Sequence, residues 1–219
     1  MDQKELKDMF WQRRLEDCAS ALTRNGFRAW VVADTAAAGD AAWRLITETA
    51  PATVGYADSK TMLATGIVDR VRREANLRLV DGFDPSKPRD ENLQARREAL
   101  LSDLFMTGAN AVTEDGRLVW LDMVGNRIAA VAFGPRHVIL FVGRNKLVKD
   151  EEAARARIRQ IAAPLNAKAH ETFRTPCRTT SRCHDCNSPD RICNAWLVME
   201  KCHPRERISV ILVNEELGY

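Results

Sequence analysis

Apolar positions along this chain alternate between helical and extended spacing, and that alternation predicts its elements. Leu6, Met9, Phe10, Leu15, Cys18, Ala19 and Leu22 recur at three-to-four spacing and predict an amphipathic N-terminal helix over 3–24, closed by Asn25-Gly26. Arg28–Val32 reads as a strand, Gly39–Glu48 as a helix ended by Pro51, and Thr53–Tyr56 as a short strand. The next helix runs to Val71, Leu77–Val80 is a strand, and Phe83–Asp90 is a polar loop over the sheet edge. After a helix at Glu91–Leu101, the runs Ala109–Val112, Leu118–Leu121 and His137–Val142 have the β-branched and aromatic content of strands. An Ala/Arg-rich helix at Glu151–Ile161 stops near Pro164, and Ile208–Val213 is the last strand. Helices and strands taking turns in this way predict an α/β layered sheet.

Between the strands of the central stretch lie short polar turns at Thr113–Gly116, Asp122–Arg127 and Gly143–Lys146. A rigid sheet that carries such turns is where binding residues collect, which singles out Asn126, Arg127, Asn145 and Lys146. Gly55-Tyr56-Ala57-Asp58-Ser59-Lys60-Thr61 passes from strand to helix. A helix start there offers free backbone N–H groups, with Asp58 or Ser59 as cap and Thr61 as a second hydroxyl. The residues are read two ways: as a small anion site, or as an ordinary capped helix.

Composition narrows the class. A chain of 219 residues supports one substantial core, and 45% hydrophobic with 29% charged residues is ordinary for a globular protein. We expect a single unit over 1–219. The net charge of +3 comes from interleaved signs, which argues against a nucleic-acid partner. No run has membrane-spanning length and the N-terminus lacks a signal-peptide core, so the expectation is a cytoplasmic protein without membrane insertion.

Five of the six cysteines fall between Cys177 and Cys202, inside a polar loop expected over 174–203. Cys177, Cys183, Cys186 and Cys193 form C-x5-C-x2-C-x6-C, with Cys202 as a substitute ligand. Four thiolates suit zinc or an iron–sulfur cluster, and the spacing does not choose between them. Reversible dithiol chemistry or a disulfide formed on purification, and unconnected thiols, are the other readings. Arg174, Arg178, Arg182 and Arg191 add local positive potential, which favours thiolates.

GANAVTEDGRLVWLDMVGNRIAA, then GP and VGRNKLV, resemble the LUD domain of lactate-utilisation proteins. GYADSKT, CRTTSRCHDCNSPDRIC and RISVILVNEELGY extend the resemblance to short, single-domain members, from Val54 onward. It implies a three-layer α/β/α sandwich like that of phosphosugar isomerases and CoA transferases. It also implies a link to bacterial lactate oxidation or a neighbouring redox pathway. In that fold Gly108-Ala109-Asn110, followed by Glu114 and Asp115, matches a GAD-type turn, but Asn110 stands where an isomerase carries aspartate.

The expected role is therefore an accessory protein of organic-acid oxidation that binds a small anionic ligand and works beside an iron–sulfur oxidoreductase. Ser59 and Thr61 would bind the anion, Asn126 and Arg127 would fix its carboxylate or phosphate, and Asn145-Lys146 would close the site. A phosphosugar-isomerase-like or acyl-transfer enzyme using Glu114, and a non-catalytic structural subunit, are the alternatives. Glu114 beside Asp115-Gly116 reads as an exposed hairpin turn, poorly suited to protecting an acyl-enzyme from water.

Overall fold

The computed structural model describes residues 1–219. Helix α1 (Gln3–Arg24) leads into β1 (Arg28–Val32), α2 (Thr35–Thr49) and β2 (Thr53–Tyr56). Two short helices follow, α3 (Lys60–Ala64) and α4 (Ile67–Arg73), then β3 (Arg78–Val80), α5 (Arg89–Glu98) and β4 (Leu104–Gly108). The chain continues through β5 (Ala111–Thr113), β6 (Leu118–Asp122), α6 (Asn126–Ala132), β7 (His137–Gly143) and β8 (Leu147–Val148). It ends with α7 (Glu151–Arg157), a π-helical segment (Ile158–Ala162), α8 (Ala163–Lys168), α9 (Pro176–Thr180), β9 (Ala195–Met199) and β10 (Ile208–Val213).

β1, β10, β7, β4, β2 and β3 make a six-stranded parallel sheet in that order. Its central strands are apolar on both faces, as parallel strands covered by helices must be. Val138, Leu140, Val142, Val210 and Leu212 pack one way, against Leu15, Cys18 and Leu22 of α1 and Val131 of α6. Ile139, Phe141, Ile211 and Val213 pack the other way, against α2, α3 and α4. Alternation along each strand thus builds two cores with helices on both faces. No helix is long and apolar enough to cross a membrane.

A smaller sheet, β8-β5-β6-β9, sits beside the large one. Its β5–β6 hairpin rests on the last turn of α1. Gly116 at the hairpin tip has φ +83°, and a Cβ there would lie 2.7 Å from the Ala21 and Leu22 backbone. Both the left-handed backbone and the close approach demand glycine. We expect Gly116→Ala to cost about 3 kcal/mol in urea denaturation, through strain and loss of α1 docking.

Several elements differ from the reading of the sequence. The strand expected at Ala109–Val112 is the shorter β5, and an unexpected strand of the large sheet, β4, ends just before it, with Ala109-Asn110 as the break between the two sheets. The helix expected to run on to Val71 is divided at Gly66, which has φ +70°. The helix expected to stop near Pro164 passes through it to Lys168, because the π-helical segment ends just before and Pro164 sits in the first turn of α8. On α1 only the second half is buried; Leu6, Met9 and Phe10 are exposed.

Candidate functional site

The strand order places the site. From β2 the chain steps outward to β3, whereas from β4 it steps the other way, to β7 and then β10. The connection after β2 carries α3 and α4 on one face of the sheet, and the connection after β4 carries α6 on the other. Connections that leave in opposite directions open a crevice at the carboxyl ends of β2 and β4. A cavity of about 890 Å³ lies there, lined by residues following β2, β3, β4 and β7 and by α5 and the α7–α8 helix.

Its charge is unbalanced. Lys60, Lys87, Arg89, Arg96, Arg127 and Lys146 line the wall, against Asp58, Asp122 and Asp190. All three aspartates are already engaged, Asp58 with Lys60, Asp122 with Arg127 and Asp190 with Arg174. The remaining field favours an anion.

Lys146 is the most informative residue. It is 4% exposed, and its Nζ donates to Thr61 Oγ1 at 2.8 Å, a neutral partner. Thr61 in turn donates to the Leu217 carbonyl at 3.0 Å. No carboxylate pairs with this ammonium group. Burial, followed by the repulsion of Arg157 and Arg127, pushes the Lys146 amine down to about 7. Arg157 is also buried; it donates to the Asn145 carbonyl and the Asn110 carbonyl, both at 2.8 Å, and burial lowers it to about 10. It ties the segment after β7 to the segment after β4 and so fixes the floor beneath Lys146.

The β4–β5 break is a second anchor. Gly108 ends β4 so close to α3 that a Cβ would lie 2.4 Å from Ser59 Oγ. Asn110 Oδ1 accepts from Leu121 N and Arg127 Nη2, each at 3.0 Å. Arg127 is held further by Asp122, whose Oδ1 accepts its Nε at 2.7 Å, and by the Leu121 carbonyl. Asp122 Oδ2 accepts the backbone N–H of Arg127 and Ile128, so one buried carboxylate both starts α6 and orients the guanidinium.

The structure brings Asp58, Ser59, Asn110, Asn126, Arg127 and Lys146 to one cavity wall. Thr61 meets it through Lys146, and Gly108 through its contact with Ser59. Ser59 caps α3, accepting Met62 N–H at 3.3 Å. Asn145 stands back from the cavity and holds the tail, accepting Leu217 N–H and donating to the Gly218 carbonyl. Glu114 lies elsewhere, at the hairpin tip, where it pairs with Arg14 of α1. We expect Glu114→Gln to leave ligand affinity at the cavity unchanged within about twofold, measured by calorimetry.

Sequence reading missed Arg157, Arg96 and Asp122. Arg157 shares a helical face with Ala154 and Ile158, both buried, and that placement of a charge on an apolar face was the available signal. Arg96 is positioned by its Nε donating to the Gly82 carbonyl at 2.9 Å and by stacking on Phe83, 4.2 Å from the ring centre. Partial burial lowers its pKa.

Cys177, Cys183, Cys186 and Cys193 are unpaired and line one small cavity of about 20 Å³. They do not close up into the tight group that would hold a single metal ion. Cys202 lies apart, buried beside the Pro204 carbonyl.

An α/β protein with a cation-lined crevice at its strand ends is thus defined. The chain belongs to the LUD domain family, whose model matches residues 15–213. Its fold is similar to the crystal structure of a DUF162 family protein from Deinococcus radiodurans, at 12% identity and a TM-score of 0.53, over 93% of this chain and 98% of that one. No curated protein matches the chain.

Proposed function

We propose that this LUD-domain protein is a cytoplasmic accessory component of lactate or related organic-acid oxidation, acting as one unit that binds a small anionic ligand in the crevice. The observation that carries this is Lys146, buried in the cavity wall with only a hydroxyl for a partner. An ammonium in such a place lacks the counter-charge that buried charges normally keep, and an anionic ligand supplies it. Arg96 and the free edge of Arg127 add donors at the wall, and Arg127 suits a bidentate grip on a carboxylate or phosphate. Helix layers on both faces of a parallel sheet support kinship with phosphosugar-isomerase and CoA-transferase folds. An iron–sulfur oxidoreductase is the partner class this reading implies. An acyl-transfer role for Glu114 gains no support, since that carboxylate faces α1 and not the crevice.

The test is calorimetric titration with L-lactate, pyruvate, inorganic phosphate, a sugar phosphate and an acyl-CoA. Saturable binding of at least one small anion is expected, weakened about 30- to 100-fold by Lys146→Met, the loss that removing one charge-assisted contact brings. No binding by any of the five, or binding that Lys146→Met leaves intact, would overturn the reading.

A further inference from the structure

Cys177, Cys183, Cys186 and Cys193 come from α9, the Cys183-His184-Asp185-Cys186 knuckle and the segment leading into β9, yet all four line one space of about 20 Å³. That volume has room for little more than one water-sized molecule. Sulfurs around so small a space have each other as nearest reactive partners. Two arginines hold the arrangement. Arg191 donates to the Cys186 carbonyl, to the Cys193 carbonyl at 3.1 Å and to Asp185 Oδ1 at 2.8 Å, so it clamps the knuckle to the segment before β9. Arg159 donates to Asp185 Oδ1 from the helix, also at 2.8 Å, and reaches the Cys183 sulfur. Asp185 N–H points at that sulfur too, 3.5 Å away.

The two sides of the space differ in kind. Cys183 is the sulfur with donors around it. A sulfur attacks as thiolate, and donors aimed at it receive the charge it then carries. Cys193 instead packs against the apolar cluster that includes Val119, Leu121 and Ile158. Its chain neighbours reach the anion crevice. Ile192 lines both cavities. Asn194 donates its N–H to the Asp122 carbonyl at 3.0 Å and its Nδ2 to the Met123 carbonyl at 3.2 Å. The Asp122 carboxylate in turn holds Arg127.

We propose that Cys183 and Cys193 form a dithiol–disulfide centre, oxidised by a small hydroperoxide, whose state is passed to the anion crevice. The size of the space selects an oxidant no larger than hydrogen peroxide. As the O–O bond breaks, the Cys183 sulfur takes one hydroxyl oxygen, and the other leaves as water with the thiol proton. The Cys193 sulfur then attacks the sulfenic sulfur. The S–S bond forms, and the hydroxyl leaves as a second water with the Cys193 proton. Two electrons pass from the thiol pair to the peroxide. The bond ties the knuckle covalently to the segment between Ile192 and Asn194, and through Asn194 to the backbone beneath Arg127. The disulfide is measured without any ligand, so it is tested separately from the anion reading.

Full-length protein, reduced and then freed of reductant under nitrogen, is titrated with hydrogen peroxide, alkylated, and read by intact mass and peptide mapping. Of the six free thiols, one pair should be lost as a Cys183–Cys193 disulfide and restored by dithiothreitol. Cys183→Ser and Cys193→Ser should each abolish the disulfide, while Cys18→Ser and Cys202→Ser keep it. Backbone hydrogen exchange over Asp122–Arg127 should slow in the oxidised protein, since a cross-link limits local opening. Four results each overturn the proposal: no disulfide after peroxide, pairing of Cys183 with Cys186 that leaves Cys193 free, thiols of the reduced protein held by iron or zinc, or exchange over Asp122–Arg127 that oxidation leaves unchanged. The wild-type mapping decides even if a serine variant fails to fold.

Discussion

Replacing Lys146 with methionine is expected to stabilise the folded protein at neutral pH while it weakens anion binding. The stability gain follows from proton linkage. In the unfolded chain this lysine titrates near its ordinary 10.5, whereas burial lowers it to about 7 in the fold. Between those values the unfolded state binds more protons, so wild-type stability rises with pH. The cost of burying the ammonium is therefore complete below about pH 7 and fades as pH climbs toward 10.5. Lys146→Met removes that cost, and the gain should be roughly 2–4 kcal/mol at pH 7, shrinking towards pH 10. Urea unfolding of both proteins at pH 6.5, 8 and 9.5, values chosen about the two pKa limits, measures it. Affinity moves the opposite way. An anion is held by the protonated amine, so wild-type binding should weaken above pH 7, by up to about tenfold per unit, and the variant should show no such slope. A variant less stable than wild type at pH 7, or a flat wild-type binding profile, would mean that Lys146 does not carry an unpaired charge.

The sequence made the cores legible and the joints between them obscure. Val138–Val142 and Ile208–Val213 are unbroken apolar runs, and such runs have one comfortable place, the middle of a parallel sheet covered on both faces. The run Leu104–Thr113 gave no comparable signal for its break, because the break is imposed from outside. Gly108 must pass Ser59, and Asn110 must turn to receive Leu121 N–H and Arg127. β9 was hidden for another reason. Ala195–Met199 pairs with β6 at the edge of the small sheet, and its residues are only half-buried, so its apolar pattern was read as the tail of a cysteine loop. Of the site, the residues on short turns after strands were legible: Ser59, Asn126, Arg127 and Lys146. The residues that hold those turns in place were not. Arg157 is one of three arginines in Arg155–Arg159, and only the packing of the helix shows which one faces in.

Asp122 is the residue whose loss should do most damage to the fold around the cavity. It is 2% exposed and accepts four hydrogen bonds that matter together: Nε and Nη2 of Arg127, and the backbone N–H groups of Arg127 and Ile128. Asp122→Ala leaves a mostly buried guanidinium without its counter-ion and the first turn of α6 without an acceptor. Breaking a buried pair from one side typically costs about 3–5 kcal/mol, and that is the expected loss in urea denaturation. Asp122→Asn keeps an acceptor for the backbone but not the charge, so it should cost less, about 2–3 kcal/mol. The pair itself is a different matter. Replacing both partners, Asp122→Leu with Arg127→Met, removes two desolvation costs along with the attraction and should recover most of the loss. The double-mutant cycle then separates charge from packing. A large coupling energy is expected, the double variant losing much less than the two single variants summed; simple additivity would show that Asp122 acts through the α6 backbone alone.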